Sequence, residues 1–152
     1  MTNDKADLYK AAALFINDEG KLLVSRDIGV TKWTILGGVI EKGETQIGCL
    51  HREIMEELGA KIEVNQKMYK EAPAYPAAND PGKTVKHYYY FCKFLTEFKP
   101  VSEVELLHWL SKKDFESKEF GVCSALYQSR AQSDVTEGRT VLIVCKSKHQ
   151  NA

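Results

Sequence analysis

The sequence predicts an α/β fold with several β-strands and one well-defined amphipathic helix. Apolar runs of strand length are separated by turn residues, an aromatic and β-branched run covers residues 85–95, and helical periodicity extends from Thr45 to Leu58. A chain of 152 residues has the size of one domain whose core needs no disulfides. We therefore expect residues 1–152 to form a single domain.

The first forty residues have the pattern of three strands. Residues 8–17 are mostly apolar and close with the turn sequence NDEG, after which KLLVSR resumes, so a β-hairpin is predicted. A polar loop is expected at residues 27–32. The segment WTIL, residues 33–36, is a short buried strand that leads into a glycine loop at Gly37-Gly38.

The acidic helix follows this loop and is expected to end at Gly59. Later strands are predicted at residues 61–70, 85–95, 105–110 and 140–146, with a loop at 72–83. The aromatic run at 85–95 is expected to be a central strand. A helix is predicted from Ser111 or Asp114 to about Arg130.

Composition excludes several functional classes. Twenty-one basic and 21 acidic residues balance, so no overall charge attracts nucleic acid or an acidic membrane. The four cysteines form no CxxC pair, which predicts free, mostly buried thiols. The first residues lack the apolar core of a signal peptide, and no apolar run is long enough to span a bilayer. We expect a cytoplasmic monomer or homodimer with a small-molecule partner.

The helix carries a cluster of carboxylates. Glu53, Glu56 and Glu57 stand at i, i+3 and i+4, so they share one face beside the apolar stripe, at the lip of a cleft. Oxygen ligands without His or Cys suit Mg²⁺, with Mn²⁺ as the alternative, and argue against zinc. The competing interpretation is a solvated acidic face in which Arg52 pairs with Glu56.

Three glycines lie before this helix. Gly37, Gly38 and Gly43 would let the backbone turn sharply and approach a ligand closely. Glu44 comes just ahead of the helix and Arg52 lies two turns along it. We expect these two side chains to pair and to brace the loop against the helix.

The arrangement resembles the Nudix box, in which a Gly is followed after five residues by Glu and after seven more by Arg-Glu, an aliphatic residue, any residue, Glu-Glu, any residue and Gly. Residues 38–59 match this pattern position for position. The matching fixed positions are Gly38, Glu44, Arg52, Glu53, Glu56, Glu57 and Gly59. The chain therefore resembles a small, single-domain, MutT-like member of the Nudix hydrolase family.

The resemblance implies a Nudix-type α/β/α sandwich with a mixed β-sheet. It also implies a hydrolase that uses a divalent metal to cleave the diphosphate linkage of a nucleoside diphosphate derivative. Carried onto this chain, it makes Glu53, Glu56 and Glu57 metal ligands or base, with the Gly37 carbonyl as a further ligand. Arg52 and Glu44 join them as catalytic-site residues.

The general base in Nudix members comes either from the box or from a later loop. Glu53 is the candidate within the box. Glu103 is the best later candidate because it lies six residues before Trp109 of a predicted strand, and Glu97 and Glu105 are weaker alternatives.

The substrate is the least determined element of the interpretation. Arg26 and Lys32, with Gly37 and Gly38, are candidates for binding the phosphates. Candidates for stacking on a base are Tyr75, Tyr88, Tyr90 and Phe120. The preferred reaction converts a nucleoside triphosphate, including an oxidised one, to a monophosphate and pyrophosphate. Dinucleoside polyphosphates, ADP-ribose and nucleotide sugars are the alternatives, and a non-catalytic nucleotide sensor is a second class.

Overall fold

The computed structural model describes residues 5–77, 81–111 and 113–114 and the strand segments 121–122, 132–136 and 139–143. The strands before the helix are β1 (Leu8–Leu14), β2 (Leu22–Asp27) and β3 (Lys32–Val39), and the helix α1 is Gln46–Leu58. The strands after it are β4 (Ile62–Val64), β5 (Lys70–Glu71), β6 (Tyr75–Pro76), β7 (Thr84–Phe94), β8 (Val104–Leu110), β9 (Gly121–Val122), β10 (Gln132–Thr136) and β11 (Arg139–Ile143).

A mixed sheet of order β4-β7-β1-β3-β2-β8 forms the body of the protein. β1 runs parallel to β7 and antiparallel to β3, whereas β2 is antiparallel to both β3 and β8. The short strands β5 and β6 add to β7, and β9 adds to β3. The predicted mixed sheet is confirmed, and the aromatic strand β7 is paired on both sides, as expected of a central strand.

The predicted hairpin between the first two strands is wrong for most of their length. The turn forms, with a bridge between Ile16 and Leu22 and a hydrogen bond from Leu23 N to Phe15 O (3.0 Å). Beyond it β1 and β2 separate, and β3 inserts between them and pairs with both. Turn residues can bring two strand ends together, but packing between residues distant in the sequence determines which strand pairs with each edge of β1 and β2.

The predicted strand at residues 61–70 is also wrong in its middle. It divides into β4 and the start of β5, because the Asn65 side chain accepts a hydrogen bond from Lys67 N (3.0 Å) and turns the chain. The predicted loop at 72–83 contains β6.

The C-terminal predictions have mixed outcomes. The helix expected to reach Arg130 is interrupted by β9, which runs parallel to the start of β3. The strand expected at 140–146 is confirmed as β11 as far as Ile143. The remaining residues of both segments, 112, 115–120, 123–130 and 144–146, lie outside the described residues.

Helix α1 begins and ends where the sequence predicts. Thr45 is the N-cap, and its hydroxyl accepts a hydrogen bond from Gly48 N (2.9 Å). Gly59 closes the helix in the left-handed conformation and donates its N–H to Met55 O. Among the described residues, no helix is long and apolar enough to span a membrane.

Strand alternation gives the sheet two distinct apolar faces. One face packs against α1 through a cluster that includes Phe15, Leu23 and Leu36. The opposite face holds a second cluster, which includes Val24 and Trp33 and no residue of α1. Two of the cysteines are buried free thiols, as predicted, and the other two lie outside the described residues. The α1 side is therefore the side on which the acidic helix can form a site.

Candidate active site

The paired glycines lie inside β3, so the predicted glycine loop is wrong. At Gly37, where φ is 136°, an added Cβ would stand 2.1 Å from Ala11 O, which no side chain can tolerate. At Gly38 it would stand 2.3 Å from the carboxylate of Glu53. The glycines therefore permit close approach within the protein, of β3 to β1 and of α1 to β3. Whether they also bind substrate stays a prediction.

The predicted pair between Glu44 and Arg52 is present and is bidentate. Arg52 Nε lies 2.6 Å from Glu44 Oε2, and Nη2 lies 2.9 Å from Oε1. The hydrogen bonds from Arg52, together with the one from Glu41 N, lower the pKa of Glu44 to about 2. Arg52 Nη2 also donates to Val39 O (3.0 Å), so the guanidinium ties the loop, the helix and the end of β3 together.

The remaining nitrogen of Arg52 contacts two carboxylates of the helix. Nη1 lies 2.9 Å from Glu53 Oε2 and 3.4 Å from Glu56 Oε1. The Glu53 side chain is 16% exposed and that of Glu56 is 59% exposed, so the first contact is much the better shielded from water. The i, i+4 contact of the solvated-face interpretation thus exists, but it is weaker than the contact that holds Glu53 beside β3.

Glu57 is the exception in this network. Its Oε1 accepts a hydrogen bond from Gly37 N (3.3 Å), and no basic side chain pairs with it in the described parts of the chain. Burial, and then the nearby Glu53, raise the pKa of Glu57 to about 8. Burial raises the pKa of Glu53 as well. Burial thus disfavours the charged forms of both neighbouring carboxylates, and among the described residues only Glu53 of the two has a basic partner, Arg52.

These groups fit a hard divalent cation in their chemistry. All candidate donors are oxygens, and an added positive charge would stabilise the half-buried carboxylate of Glu57, which has no basic partner among the described residues. Among the described residues no three Asp, Glu, His or Cys side chains are arranged as a metal site. Arg52 holds Glu53 and Glu56, whereas Glu57 faces β3. The assignment of all three glutamates as ligands stays a prediction.

A further acidic residue, Asp27, was missed because the sequence pattern placed it in a loop. It is the last residue of β2, next to Ile28, whose N–H donates to Glu103 O (2.9 Å). Burial, and then Glu103, raise the pKa of Asp27, and Asp27 in turn contributes to the raised pKa of Glu57. The structure thus brings Glu103 beside Asp27 at the end of β2. Strand alternation from Leu23 would have indicated the α1 face for Asp27.

The predicted phosphate-binding cations are not brought to this region by any described contact. Arg26 lies over the Trp33 ring (5.4 Å to the centroid) and pairs with Glu105 (3.2 Å). Trp33 belongs to the apolar cluster opposite α1. Lys32 is the first residue of β3, and its side chain is not part of what the structure describes. The roles of Arg26 and Lys32 stay predictions.

The predicted base-stacking tyrosines are mostly structural. Tyr75 and Tyr90 are buried, and Tyr75 bonds to His87 Nδ1 (2.8 Å). Tyr88 stacks on Tyr9 with the ring centroids 6.4 Å apart. The fourth candidate, Phe120, lies outside the described residues.

Replacing Gly38 with Ala is expected to displace the Glu53 carboxylate while leaving the fold intact. The atoms that the new Cβ would meet belong to the end of a flexible side chain, so Glu53 can swing aside at low cost. We expect a shift in melting temperature of a few degrees at most and a loss of divalent-metal affinity of about tenfold. Calorimetric titration with Mn²⁺ measures the change in metal affinity. Unchanged affinity would contradict a role for Glu53 as a ligand.

Comparisons with known proteins identify a family model and structures of similar fold. A family model described as NUDIX domain matches residues 8–125. A UDP-X diphosphatase structure shares 23% identity with a TM-score of 0.61, covering 72% of this chain and 53% of its own. The structure of a MutT NUDIX hydrolase from Burkholderia pseudomallei shares 24% identity with a TM-score of 0.57, and the match covers 70% of this chain and 84% of that one. The structure of a MutT protein from Methanosarcina mazei Go1 shares 19% identity with a TM-score of 0.62, and the match covers 74% of this chain and 83% of that one. This chain thus spans about half the length of the UDP-X diphosphatase.

Proposed function

The chain belongs to the Nudix family, as its sequence predicted, and on this premise we propose that it is a metal-dependent pyrophosphohydrolase of nucleoside diphosphate derivatives. The observation that carries the proposal is the half-buried Glu57, which has no basic partner in the described residues, lies near Glu53 and has a raised pKa. The charged form of Glu57 would be stabilised by added positive charge. We propose Mg²⁺, with Mn²⁺ as the alternative, held by Glu53, Glu56 and Glu57.

A divalent cation bound there would neutralise phosphoryl charge and lower the pKa of its bound water. The protein supplies the positioning. Glu44 fixes the Arg52 guanidinium through two hydrogen bonds, and Arg52 in turn orients Glu53. Gly37 N holds Glu57 in place. Glu53 and Glu57 are therefore each supported by a second interaction, as metal ligands generally require.

We propose Glu103 as the general base, with Glu53 as the alternative. Water attacks a phosphorus atom, the P–O bond to the leaving phosphate breaks, and the carboxylate takes the proton of the water. Glu103 is supported by the hydrogen bond from Ile28 N to its backbone, which places it beside Asp27. Lys32 remains the candidate for binding phosphate oxygens, whereas Arg26 would have to leave Glu105 to do so.

The proposed substrate is a nucleoside triphosphate, including an oxidised one, cleaved to a monophosphate and pyrophosphate. Structures of similar fold are described as a UDP-X diphosphatase and, from Streptococcus suis, an ADP-ribose pyrophosphatase. Nucleotide sugars, ADP-ribose and dinucleoside polyphosphates are therefore the alternatives. A non-catalytic nucleotide sensor is less well supported, because every charged position of the Nudix box is retained in this chain.

A substrate panel in ¹⁸O-labelled water tests the proposal. Nucleoside triphosphates, oxidised purine triphosphates, dinucleoside polyphosphates, ADP-ribose, NADH and nucleotide sugars would each be incubated with Mg²⁺. We expect a triphosphate to give a monophosphate and pyrophosphate, with the label identifying the attacked phosphorus. If only a dinucleotide or a nucleotide sugar is cleaved, the reaction class stands and the substrate is wrong. If no compound is hydrolysed while a nucleotide binds tightly, the protein is a non-catalytic nucleotide sensor and the proposed activity is wrong.

Metal affinity is expected to rise with pH. Protonated Glu57 cannot bind a cation, and its pKa is raised to about 8, so Mg²⁺ must displace a proton below that value. The apparent association constant should increase by up to about tenfold per pH unit from about pH 6 and level off above about pH 8. Calorimetric titration with Mg²⁺ in buffers across this range measures it. Affinity independent of pH would exclude Glu57 as a ligand.

We propose a single Nudix hydrolase domain for residues 1–152, a cytoplasmic location and a monomeric or homodimeric state. The match to the NUDIX domain over residues 8–125 supports the first of these. Sedimentation velocity at two protein concentrations would distinguish monomer from homodimer.

A further inference from the structure

A buried tyrosine of the central strand holds the first residue of the helix. Tyr90 of β7 is 6% exposed, and its hydroxyl donates a hydrogen bond to Oε1 of Gln46 (2.5 Å). The two residues are 44 positions apart in the sequence. Burial raises the pKa of Tyr90, so the hydroxyl keeps its proton and remains a donor at neutral pH. This candidate for stacking on a base is therefore turned inward, and its polar end is bound within the protein.

The hydrogen bond attaches α1 to the sheet at a second place. Among the described residues, the other side-chain hydrogen bonds between α1 and the sheet all go to β3. They join Cys49 to Gly38 O and Val39 O, Arg52 to Val39 O, and Glu57 to Gly37 N. Tyr90 is opposite Ala13 of β1, which is in turn opposite Leu36 of β3. The attachment at β7 thus lies two strands, or about 10 Å, from the attachments at β3.

The attachment at β7 holds the part of the helix next to the bidentate ion pair. Gln46 is the first residue of α1, and it directly follows Glu44 and the N-cap Thr45. Glu44 binds Arg52, and Arg52 orients Glu53. We refer to these last three side chains, Glu44, Arg52 and Glu53, as the clamp. A shift of the first turn of α1 would move Glu44 and so change the direction in which the clamp holds Glu53.

We propose that Tyr90 is a positioning residue for the metal site, which acts through Gln46 to fix the first turn of α1 and with it the clamp. The inference rests on the proposed function, because the clamp matters to the reaction only if Glu53 binds the metal. Since its hydroxyl is bound to Gln46, Tyr90 acts through the helix and not on the substrate. Groups that orient metal ligands in this way commonly contribute about 10- to 100-fold to metal affinity or activity.

The test compares Tyr90→Phe, which keeps the ring and loses the hydroxyl, with the unmodified protein. The first measurement is amide hydrogen exchange without metal. The N–H groups of Gly48 and Cys49 bond to Thr45, and their exchange should become at least about fivefold faster in the variant. Exchange of the Gly59 N–H, at the other end of the helix, should not change.

The second and third measurements concern the metal site of Tyr90→Phe. Calorimetric titration should show an affinity for Mn²⁺ that is lower by about 3- to 10-fold. At saturating Mg²⁺, kcat should fall by about tenfold while KM stays within about twofold, because misplaced ligands stabilise the transition state less well. A loss of folding stability alone would not produce this difference between kcat and KM.

The partner residue provides a second variant and a rescue. Gln46→Leu removes the acceptor and should reproduce each effect of Tyr90→Phe. The double variant should be no worse than either single variant, because both substitutions remove the same hydrogen bond. Gln46→Glu keeps an oxygen that can accept from the Tyr90 hydroxyl, so it should retain Mn²⁺ affinity and turnover within about twofold of the unmodified protein.

The matched control is Tyr9→Phe in β1. The Tyr9 hydroxyl accepts a hydrogen bond from Ala6 N (3.2 Å), only three residues away, and not from α1. This variant therefore loses the same chemical group without releasing the helix. Its exchange at the first turn of α1, its Mn²⁺ affinity and its turnover should equal those of the unmodified protein.

The possible outcomes separate this inference from the proposed function. If Tyr90→Phe lowers the melting temperature but leaves exchange, Mn²⁺ affinity and turnover unchanged, the hydrogen bond is only structural and the inference is wrong. If Gln46→Glu is as impaired as Gln46→Leu, the acceptor oxygen is not what matters and the inference is also wrong. These two variants decide the question if Tyr90→Phe does not fold. If the unmodified protein binds no Mn²⁺ and hydrolyses nothing, the proposed function fails and this inference fails with it.

Discussion

Replacing Glu57 with Gln is expected to lower Mg²⁺-dependent hydrolysis by more than about 100-fold while leaving the fold intact. Gln keeps the size of the side chain and an oxygen that can accept from Gly37 N, but it cannot supply negative charge to a cation. Steady-state kinetics at saturating Mg²⁺ and circular dichroism measure the two effects. Near-normal turnover, or an unfolded variant, would count against Glu57 as a ligand at the edge of the helix.

The same substitution has a pH signature in the metal-free protein. Glu57 has a folded pKa of about 8, above its ordinary value of 4.5, so the charged form is disfavoured in the fold. The unmodified protein should therefore lose stability as pH rises from about 4.5 through about 8. Glu57→Gln should be less sensitive to pH and more stable than the unmodified protein above pH 8. Thermal melts without metal, with the exposed Glu63→Gln as the matched control, would show the difference.

Replacing Glu103 with Ala is expected to reduce turnover by roughly 10²- to 10⁴-fold if this carboxylate is the general base. Metal affinity should change little, because Glu103 is not a proposed ligand. Single-turnover rates across a pH range, together with Mn²⁺ titration, separate the two roles. The expected result is a lower rate whose dependence on the ionisation of the base has been lost.

Glu97→Ala is the matched control for this prediction. Glu97 is exposed, it precedes the same strand, and it was a weaker candidate for the base in the sequence. It should retain normal turnover. Unchanged activity in Glu103→Ala would move the role of base to Glu53, and a loss confined to Glu97→Ala would move it to that residue.

Local spacing was sufficient to predict the helix and the ion pair between Glu44 and Arg52. A cap residue, a terminal glycine and a 3.6-residue period depend on neighbours within a few positions, so Thr45 and Gly59 could be identified directly. The pair between Glu44 and Arg52 followed for the same reason, since one helix and a short loop place both groups. The family, too, was determined at this level.

Strand pairing could not be predicted in this way. The turn after β1 indicates a hairpin equally well whether or not β3 enters between the two strands. One condition for this insertion is that Gly37 and Gly38 lack side chains, so that β3 can approach β1 and α1 more closely than any other residue type would allow. That requirement becomes visible only when the partners of these glycines are known.

The sequence alone thus determined the family, the helix and the residues of the acidic cluster, because those depend on short-range spacing. Only the tertiary structure decided that Asp27 lies near this cluster, that Glu103 lies beside Asp27 and that Arg26 is paired elsewhere. It also decided which residues of β2 and β3 lie opposite each other, as Ser25 and Thr34 do. These positions depend on the strand order and register of the sheet, which are determined by how the whole core is buried. No local sequence pattern could therefore predict them.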